Sequence, residues 1–324
     1  MSSRLHERLP GIDLPWVGLG TRPTPVRPLS IPGADVWLKD EGAFGDGAWG
    51  GNKVRKLEWI IPDLQRRHRS VLFTVGGIGT HWGLAAALYG AEHGLHTVLG
   101  LVEQPVDDHV REQTRRLDAS GATVRRFSST ARLRLAAPWL IARHGGPRRV
   151  GYLPAGGSSP VGSLGYVETA LELADQVRAG ELPEPAVVVT AVGSGGTAAG
   201  LTLGLRLAGL STRVLGIVVN DAFRLDAVAV ARLAERTADL LRARGGRIER
   251  HVRPGDLDCD HSWLGAGYGA STPEGLEALA WAEREAGLDL EPVYTAKALA
   301  AVRGLAAAGR LDGPVLLLQT HGPR

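Results

Sequence analysis

Trp49-Gly50-Gly51-Asn52-Lys53-Val54-Arg55-Lys56-Leu57-Glu58 sets a lysine just past two glycines and an asparagine, where the pattern marks a helix start. Asn52 suits the N-cap, and Val54, Leu57 and Ile61 then share one helical face. Lys53 would leave the first turn beside unpaired amides and the positive end of the helix dipole. A positive field, or burial, favours the uncharged amine. An uncharged lysine is a nucleophile toward carbonyl carbon, which is one reading of the stretch. The other is a helix start with a solvated basic first turn.

The chain on either side alternates between strand and helix patterns. Residues 1–33 are proline-rich with little periodicity, as expected of an extended arm, and 34–39 read as a strand. A glycine-rich loop over 41–51 leads to Lys53. Beyond its helix, 70–75 is a short apolar run of the buried parallel kind that ends in Gly76-Gly77-Ile78-Gly79-Thr80-His81-Trp82. A helix with Leu84, Leu88 and Ala91 on one face follows, then a strand over 96–102, a helix near 107–119, a strand at 122–124 and a helix near 131–143.

A second glycine cluster, 151–160, precedes a helix near 163–178. The strongest strand signal, 186–192, runs into Gly193-Ser194-Gly195-Gly196-Thr197 and a helix to Leu210. A strand over 214–219, a helix near 224–243 and a strand near 248–252 come next. An irregular loop over 254–271 contains Gly265-Ala266-Gly267-Tyr268. Helices near 273–286 and 295–308 precede a last strand, 315–318, which ends at Gln319-Thr320-His321-Gly322. This alternation predicts an α/β fold with parallel sheets flanked by helices.

Composition narrows the class. The 324 residues suffice for two domains, and 44% hydrophobic with 22% charged residues is typical of a soluble globular chain. No long apolar run is present and residues 1–10 are polar and charged, so a cytoplasmic location and no membrane partner are expected. The single cysteine, Cys259, excludes an internal disulfide and fits a reducing compartment. The net charge of +3 is small and its arginines are scattered. With 5% aromatics, a solvated basic surface is expected rather than a nucleic-acid groove.

The clearest chemical signal is the Gly193–Thr197 loop between a strand and a helix. Glycines let the backbone approach an oxyanion, and successive amides at a helix start bind phosphate; the competing reading is an ordinary tight turn. Gly193, Gly195 and Ala198 also fit the dinucleotide pattern, with Asp221 late for the ribose-binding acid. No Gly-Lys-Ser/Thr follows, which excludes a Walker loop, and neither G-x-S-x-G nor H-E-x-x-H occurs. Asp256, Asp258 and Asp260 have calcium-loop spacing, but His261 stands where glycine is required and Gly267 where glutamate is. Cys259 with His261, and His93 with His96, lack the further ligands a metal needs, so no metal is expected.

Lys53 and a separate single-phosphate loop together are what a pyridoxal phosphate (PLP) enzyme requires, one covalent anchor and one anion anchor. The motif 50–58 resembles the lysine motif of the fold-type II PLP enzymes related to 1-aminocyclopropane-1-carboxylate (ACC) deaminase and D-cysteine desulfhydrase. The resemblance continues through Gly76-Gly77-Ile78, 155–160, 162–168, the Gly193 loop, 265–268 and Glu291-Pro292-Val293-Tyr294, and covers about 25–324. It implies a two-domain, tryptophan-synthase-beta-like architecture. A large PLP-binding domain would comprise 1–45 and 160–324, and a small domain 46–159.

The resemblance also implies roles. Lys53 would hold PLP covalently and shuttle protons, with Asn52 beside it. Lys56 and Gly193, Ser194, Gly195, Gly196 and Thr197 would bind the phosphate. Tyr268 and Tyr294 would line the site, one stacking on the ring or acting in proton transfer or nucleophilic attack. Thr320 would stand near the pyridine nitrogen, where a neutral hydroxyl leaves that nitrogen unprotonated. Thr80 would donate to a substrate carboxylate. His81 stands where the family usually has an asparagine bonded to the cofactor's phenolic oxygen, as a donor or as an acid/base. Trp82 is bulkier than the family's residue and either reshapes the pocket or repacks the core. Thr295 replaces the glutamate of ACC deaminases.

The expected activity is α,β-elimination or deamination of a small amino acid, in a homodimer. A β- or γ-replacement enzyme, a catalytically silent PLP-binding homologue and a nucleotide-binding Rossmann protein are the alternatives.

Overall fold

The structure is a computed structural model that describes residues 3–47, 49–249 and 251–322, apart from the side chain of His109. The first part of the chain forms α1 (Arg4–Arg8), β1 (Val26–Ile31), β2 (Ala34–Asp40), α2 (Asn52–Arg66), β3 (Val71–Gly77), α3 (His81–Glu92) and β4 (His96–Val102). It continues with α4 (Asp108–Ala119), β5 (Thr123–Phe127), α5 (Thr130–Arg143), α6 (Gly146–Arg149), β6 (Val150–Leu153) and α7 (Pro160–Arg178). The remainder forms β7 (Val187–Val192), α8 (Gly196–Ala208), β8 (Arg213–Val218), α9 (Ala227–Ala243), β9 (Leu257–Asp260), α10 (Pro273–Trp281), α11 (Thr295–Ala307) and β10 (Val315–Gln319).

These strands form a six-stranded sheet, β1-β2-β10-β7-β8-β9, and a four-stranded sheet, β5-β4-β3-β6. The β1–β2 pair is antiparallel, and every other pairing among the described residues is parallel. Parallel strands are covered on both faces, which explains why β10 reads Val-Leu-Leu-Leu-Gln and is buried throughout. No helix among the described residues is long and apolar enough to cross a membrane.

The helix that carries Lys53 is buried on all sides rather than on one stripe. Val54, Leu57 and Ile61 pack into the apolar core around the four-stranded sheet, together with Leu72 and Leu99. On the opposite side α2 lies against α7 so closely that a Cβ on Gly165 would stand 2.2 Å from the Arg55 carbonyl oxygen. Arg55 is fully buried there and donates to the carboxylates of Glu41 and Glu172 at 2.9 Å each. Lys39 Nζ donates to the same Glu172 oxygen at 2.8 Å. Buried charges persist only when paired in this way, and these pairs fix α2 against β2 and α7.

Several expectations need correction. Asn52 is not the N-cap of α2; Gly51 is, with φ 92° and no side-chain cap. A side chain cannot stand at Gly51, because its Cβ would lie 3.0 Å from the Thr320 carbonyl oxygen in a backbone conformation reserved for glycine. Among the described residues of 248–252 there is no strand where one was expected. Ile248 and Val252 are buried in the core around α9, but the Val252 amide is donated to the Glu235 carboxylate instead of a ladder, and Arg250 lies outside the described residues. The strand that pairs with β8 on the side away from β7 is β9, inside the segment read as an irregular loop. The proline-rich arm contains α1 and β1, an edge strand that tolerates Pro28 because half of its donors face no partner. β6 lay hidden in the second glycine cluster.

Candidate active site

A cleft of about 1220 Å³, its open mouth included, lies where the strands of both sheets end. Its walls come from the segments after β3, β7, β8 and β10 and from the start of α2. Ligand sites of α/β sheets form at the carboxyl ends of strands, because loops and helix N-termini converge there.

Lys53 sits in the first turn of α2. The Asn52 amide donates to the Thr320 carbonyl at 3.2 Å and the Gly51 amide to Phe44 at 2.8 Å, so the end of β10 and the start of α2 are pinned together. Burial lowers the Lys53 amine from 10.5 to about 8, and the charge of Glu291 partly opposes it. One turn on, Lys56 Nζ donates to the Gly156 carbonyl at 2.9 Å. Burial first, and the neighbouring Lys53 charge second, hold its amine well below the ordinary lysine range.

Lys56 points at the loop after β7. A Cβ on Gly196 would lie 3.1 Å from Lys56 Nζ and 2.6 Å from Ser158 Oγ. Gly195 takes φ +85° and is the N-cap of α8. Ser158 Oγ accepts from the Gly196 amide at 3.0 Å and shares a 2.8 Å hydrogen bond with Ser194 Oγ. Asn220 Nδ2 holds the Gly193 carbonyl at 3.0 Å. The result is a small concavity of helix-start amides, two hydroxyls and the Lys56 amine, which fits a phosphate and leaves no room for side chains on Gly193 and Gly196.

Across the cleft, Tyr294 and Tyr268 share a 2.9 Å hydrogen bond between their hydroxyls. Burial raises both phenols above the ordinary value, so both are protonated near neutral pH. Glu291 orders this wall: its carboxylate accepts from the amides of Val293, Tyr294 and Thr295 at 2.9, 2.8 and 2.7 Å, at the start of α11. Thr295 is buried, and its hydroxyl accepts from the Glu291 amide at 3.0 Å.

The segment after β3 supplies the third wall. Thr80 is the N-cap of α3 and accepts from the Gly83 amide at 3.1 Å, which leaves its hydroxyl proton to donate. His81 follows, with Nδ1 3.0 Å from Gln113 Nε2 and its ring against Trp49 and His321. Trp82 is 2% exposed and donates from Nε1 to Thr74 Oγ1 at 2.8 Å, so its bulk fills the core side of this segment.

Every residue to which the resemblance gave a role at the cofactor or substrate lines this one cleft: Asn52, Lys53 and Lys56, Thr80 and His81, residues 193–197, Tyr268, Tyr294 and Thr320. Ser158, Asn220, Gln104 and Glu291 also line the site or shape it, and the sequence reading gave them no role. Ser158 and Glu291 lie inside motifs that were recognised, and that is the signal by which they were within reach. Asn220 and Gln104 carry no local signal. The suspected metal residues are used otherwise: Asp258 pairs with Arg213 at 2.8 Å, Asp260 caps Ser262, and His96 bonds Thr123.

A lysine amine lowered to about 8 and a phosphate cradle in one cleft match a phosphorylated aldehyde, and the similarity to known proteins agrees with this. A protein of Pyrococcus furiosus named as a candidate 1-aminocyclopropane-1-carboxylate deaminase is 30% identical over 330 residues, covering 98% of this chain and 93% of that protein. D-cysteine desulfhydrase of Salmonella paratyphi A is 31% identical over 315 residues, covering 93% of this chain and 92% of that one. The crystal structure of an ACC deaminase homologue matches with a TM-score of 0.82 at 29% identity, over 99% of this chain and 95% of that one. The threonine deaminase of T.th. shares the fold at a TM-score of 0.60 and 22% identity, over 90% of this chain and 88% of that one. The architecture is therefore that of the fold-type II PLP enzymes. The profile described as pyridoxal-phosphate dependent enzyme matches residues 17–320, and the chain belongs to that family.

Proposed function

We propose that the protein is a PLP-dependent lyase or deaminase that acts on a small amino acid, by α,β-elimination or deamination. The observation that supports it most is the pairing of a desolvated Lys53 amine, near 8, with the Gly193–Thr197 cradle in one cleft. Bound there, PLP supplies an electron-withdrawing ring system that stabilises charge at a substrate α-carbon. Lys53 would hold the cofactor through Nζ, and the same nitrogen would be the base for the substrate α-proton. Lys56 and the amides of 193–197 anchor the phosphate. The Thr320 hydroxyl, which lines the cleft, would be the neutral partner of the ring nitrogen. Thr80 donates to the substrate carboxylate, and His81 donates beside it or exchanges a proton. The Tyr268–Tyr294 pair, protonated on both phenols, delivers a proton to the leaving group or to the carbon that it leaves.

The names of the relatives support a small amino acid as substrate. Buried Thr295, where ACC deaminases carry a glutamate, favours the desulfhydrase-like branch. We further propose that residues 46–159 close on 1–45 and 160–324 as a unit, and that the enzyme is a cytoplasmic homodimer; light scattering of the purified protein tests the dimer.

The test is a screen of amino acids of both hands for ammonia and a 2-oxo acid, with deuterium exchange at the α-carbon followed in parallel. Release of both products from a cysteine, serine or cyclopropane substrate is expected. Exchange without release would favour a replacement enzyme. Silence in both assays, with Lys53 still trapped by borohydride, would identify a binding protein instead.

A further inference from the structure

Trp82 is the largest departure from the resemblance, and the site chemistry does not use it. Its surroundings give it a task. The Trp82 indole N–H donates to Thr74 Oγ1 at 2.8 Å, and Thr74 donates in turn to the Leu153 carbonyl at 2.9 Å. Thr74 and Leu153 are the last residues paired between β3 and β6. Beyond that point the ladder stops and the chain turns through 154–158. The six-membered ring of Trp82 fills the space under this turn: a Cβ on Gly157 would stand 2.7 to 3.0 Å from three of its atoms. Gly156 and Gly157 both take positive φ, +66° and +64°.

The same turn holds two parts of the anion cradle. The Gly156 carbonyl accepts from Lys56 Nζ at 2.9 Å, and Ser158 Oγ accepts from the Gly196 amide at 3.0 Å. A turn of glycines has little stiffness of its own, so its position depends on what it rests upon. It rests on Trp82, which belongs to the first turn of α3 together with Thr80 and His81.

We propose that Trp82 is a positioning residue for the anion cradle, tying the start of α3 through Thr74 to the turn that aims Lys56 and Ser158. This rests on the reading that the Gly193–Thr197 loop holds the cofactor phosphate. It makes the substrate-facing start of α3 and the phosphate site one rigid piece, so that a shift in either moves the other.

The experiment compares pyridoxal phosphate with pyridoxal, which lacks the phosphate, as ligands of the full-length chain stripped of cofactor. Trp82→Phe removes both the N–H and the outer ring atoms that lie under Gly157; Thr74→Val keeps shape and removes the hydroxyl. Loss of a single net hydrogen bond, about 0.5–1.5 kcal/mol, corresponds to a roughly 2- to 10-fold weaker complex; this is the smallest loss expected, since Thr74→Val removes the bonds to both Trp82 and Leu153. That loss is expected for pyridoxal phosphate in each variant, with pyridoxal unchanged, and the double variant should bind no more weakly than the worse single one. Equal losses for both ligands would make Trp82 ordinary core and overturn the proposal. Unchanged affinity for both would do the same. A wild-type chain that binds the two ligands equally well would instead refute the phosphate cradle itself. If Trp82→Phe does not fold, Thr74→Val alone decides.

Discussion

Replacing Glu291 by glutamine perturbs the lysine and the tyrosine wall in opposite ways that can be measured separately. The Glu291 carboxylate accepts three amides at the start of α11: Tyr294 and Thr295 on Oε1 at 2.8 and 2.7 Å, and Val293 on Oε2 at 2.9 Å. A glutamine keeps the two bonds to Oε1 but sets its NH₂ against the Val293 N–H, donor to donor. One charge-assisted bond is lost, which costs about 1.5–3 kcal/mol of stability in denaturant titrations. The charge also goes. Burial has taken the Lys53 amine from 10.5 to about 8 against the opposing pull of this carboxylate. That displacement corresponds to roughly 3 kcal/mol, at about 1.36 kcal/mol per pH unit. Removal of the negative charge disfavours the ammonium form further, and an opposite charge nearby is worth roughly 1–3 pH units. The amine should therefore fall by about one unit, the low end of that range, since three amides already share the carboxylate's charge.

The assay is the rate of acylation of Lys53 in the cofactor-free chain against pH, read by peptide mass with a free amine as internal standard. The wild-type inflection is expected near 8, and that of Glu291→Gln below it. An inflection that stays in place, or rises, would refute the electrostatic link between α11 and Lys53. An inflection near 10.5 in the wild type would refute the desolvation argument altogether.

Further outcomes follow from the same geometry. Gly196→Ala places a Cβ 2.6 Å from Ser158 Oγ and 3.0 Å from Ser158 Cα. The resulting shift, about 1–3 kcal/mol of overpacking, should weaken cofactor binding on the order of 10-fold or more, read by absorbance titration, with far-UV circular dichroism unchanged. Tyr294→Phe removes the 2.9 Å hydroxyl pair and should lower turnover while leaving cofactor binding intact. Since both phenols lie above the ordinary value, the wild-type pH profile should show no alkaline fall from them below 10. Glu172→Gln takes one of its two carboxylate partners from buried Arg55 and the carboxylate partner from buried Lys39, with an expected cost of roughly 3–5 kcal/mol in chemical denaturation. Burial alone would raise the Glu172 carboxyl, but Arg55 and Lys39 outweigh it and hold it low. Its contribution is therefore complete above the ordinary carboxylate value of 4.5 and lost as pH falls below it, so the wild type should lose stability in acid more steeply than the variant.

The strand–helix alternation was legible because parallel strands buried on both faces read as short apolar runs, and the runs at 70–75 and 186–192 both became strands. The elements that escaped had other partners. β1 carries Pro28 on a sheet edge, β6 is four residues long, and Val252 gives its amide to a side chain. Helix boundaries failed where a glycine conformation decided them, as at Gly51.

By itself the sequence determined the order of the motifs and their chemical types: an amine at a helix start, a glycine loop after a strand, and two tyrosines, each in its own short motif, far along the chain. Those are local properties, set by which residues lie next to one another. Tertiary structure alone decided that Lys56 meets Gly156, that Ser158 caps Gly196, that Glu291 acts on Lys53, and that Trp82 turns inward to Thr74. Each of these joins residues that are distant in the chain or that have several orientations open to them, and only the packing of two sheets against shared helices selects one.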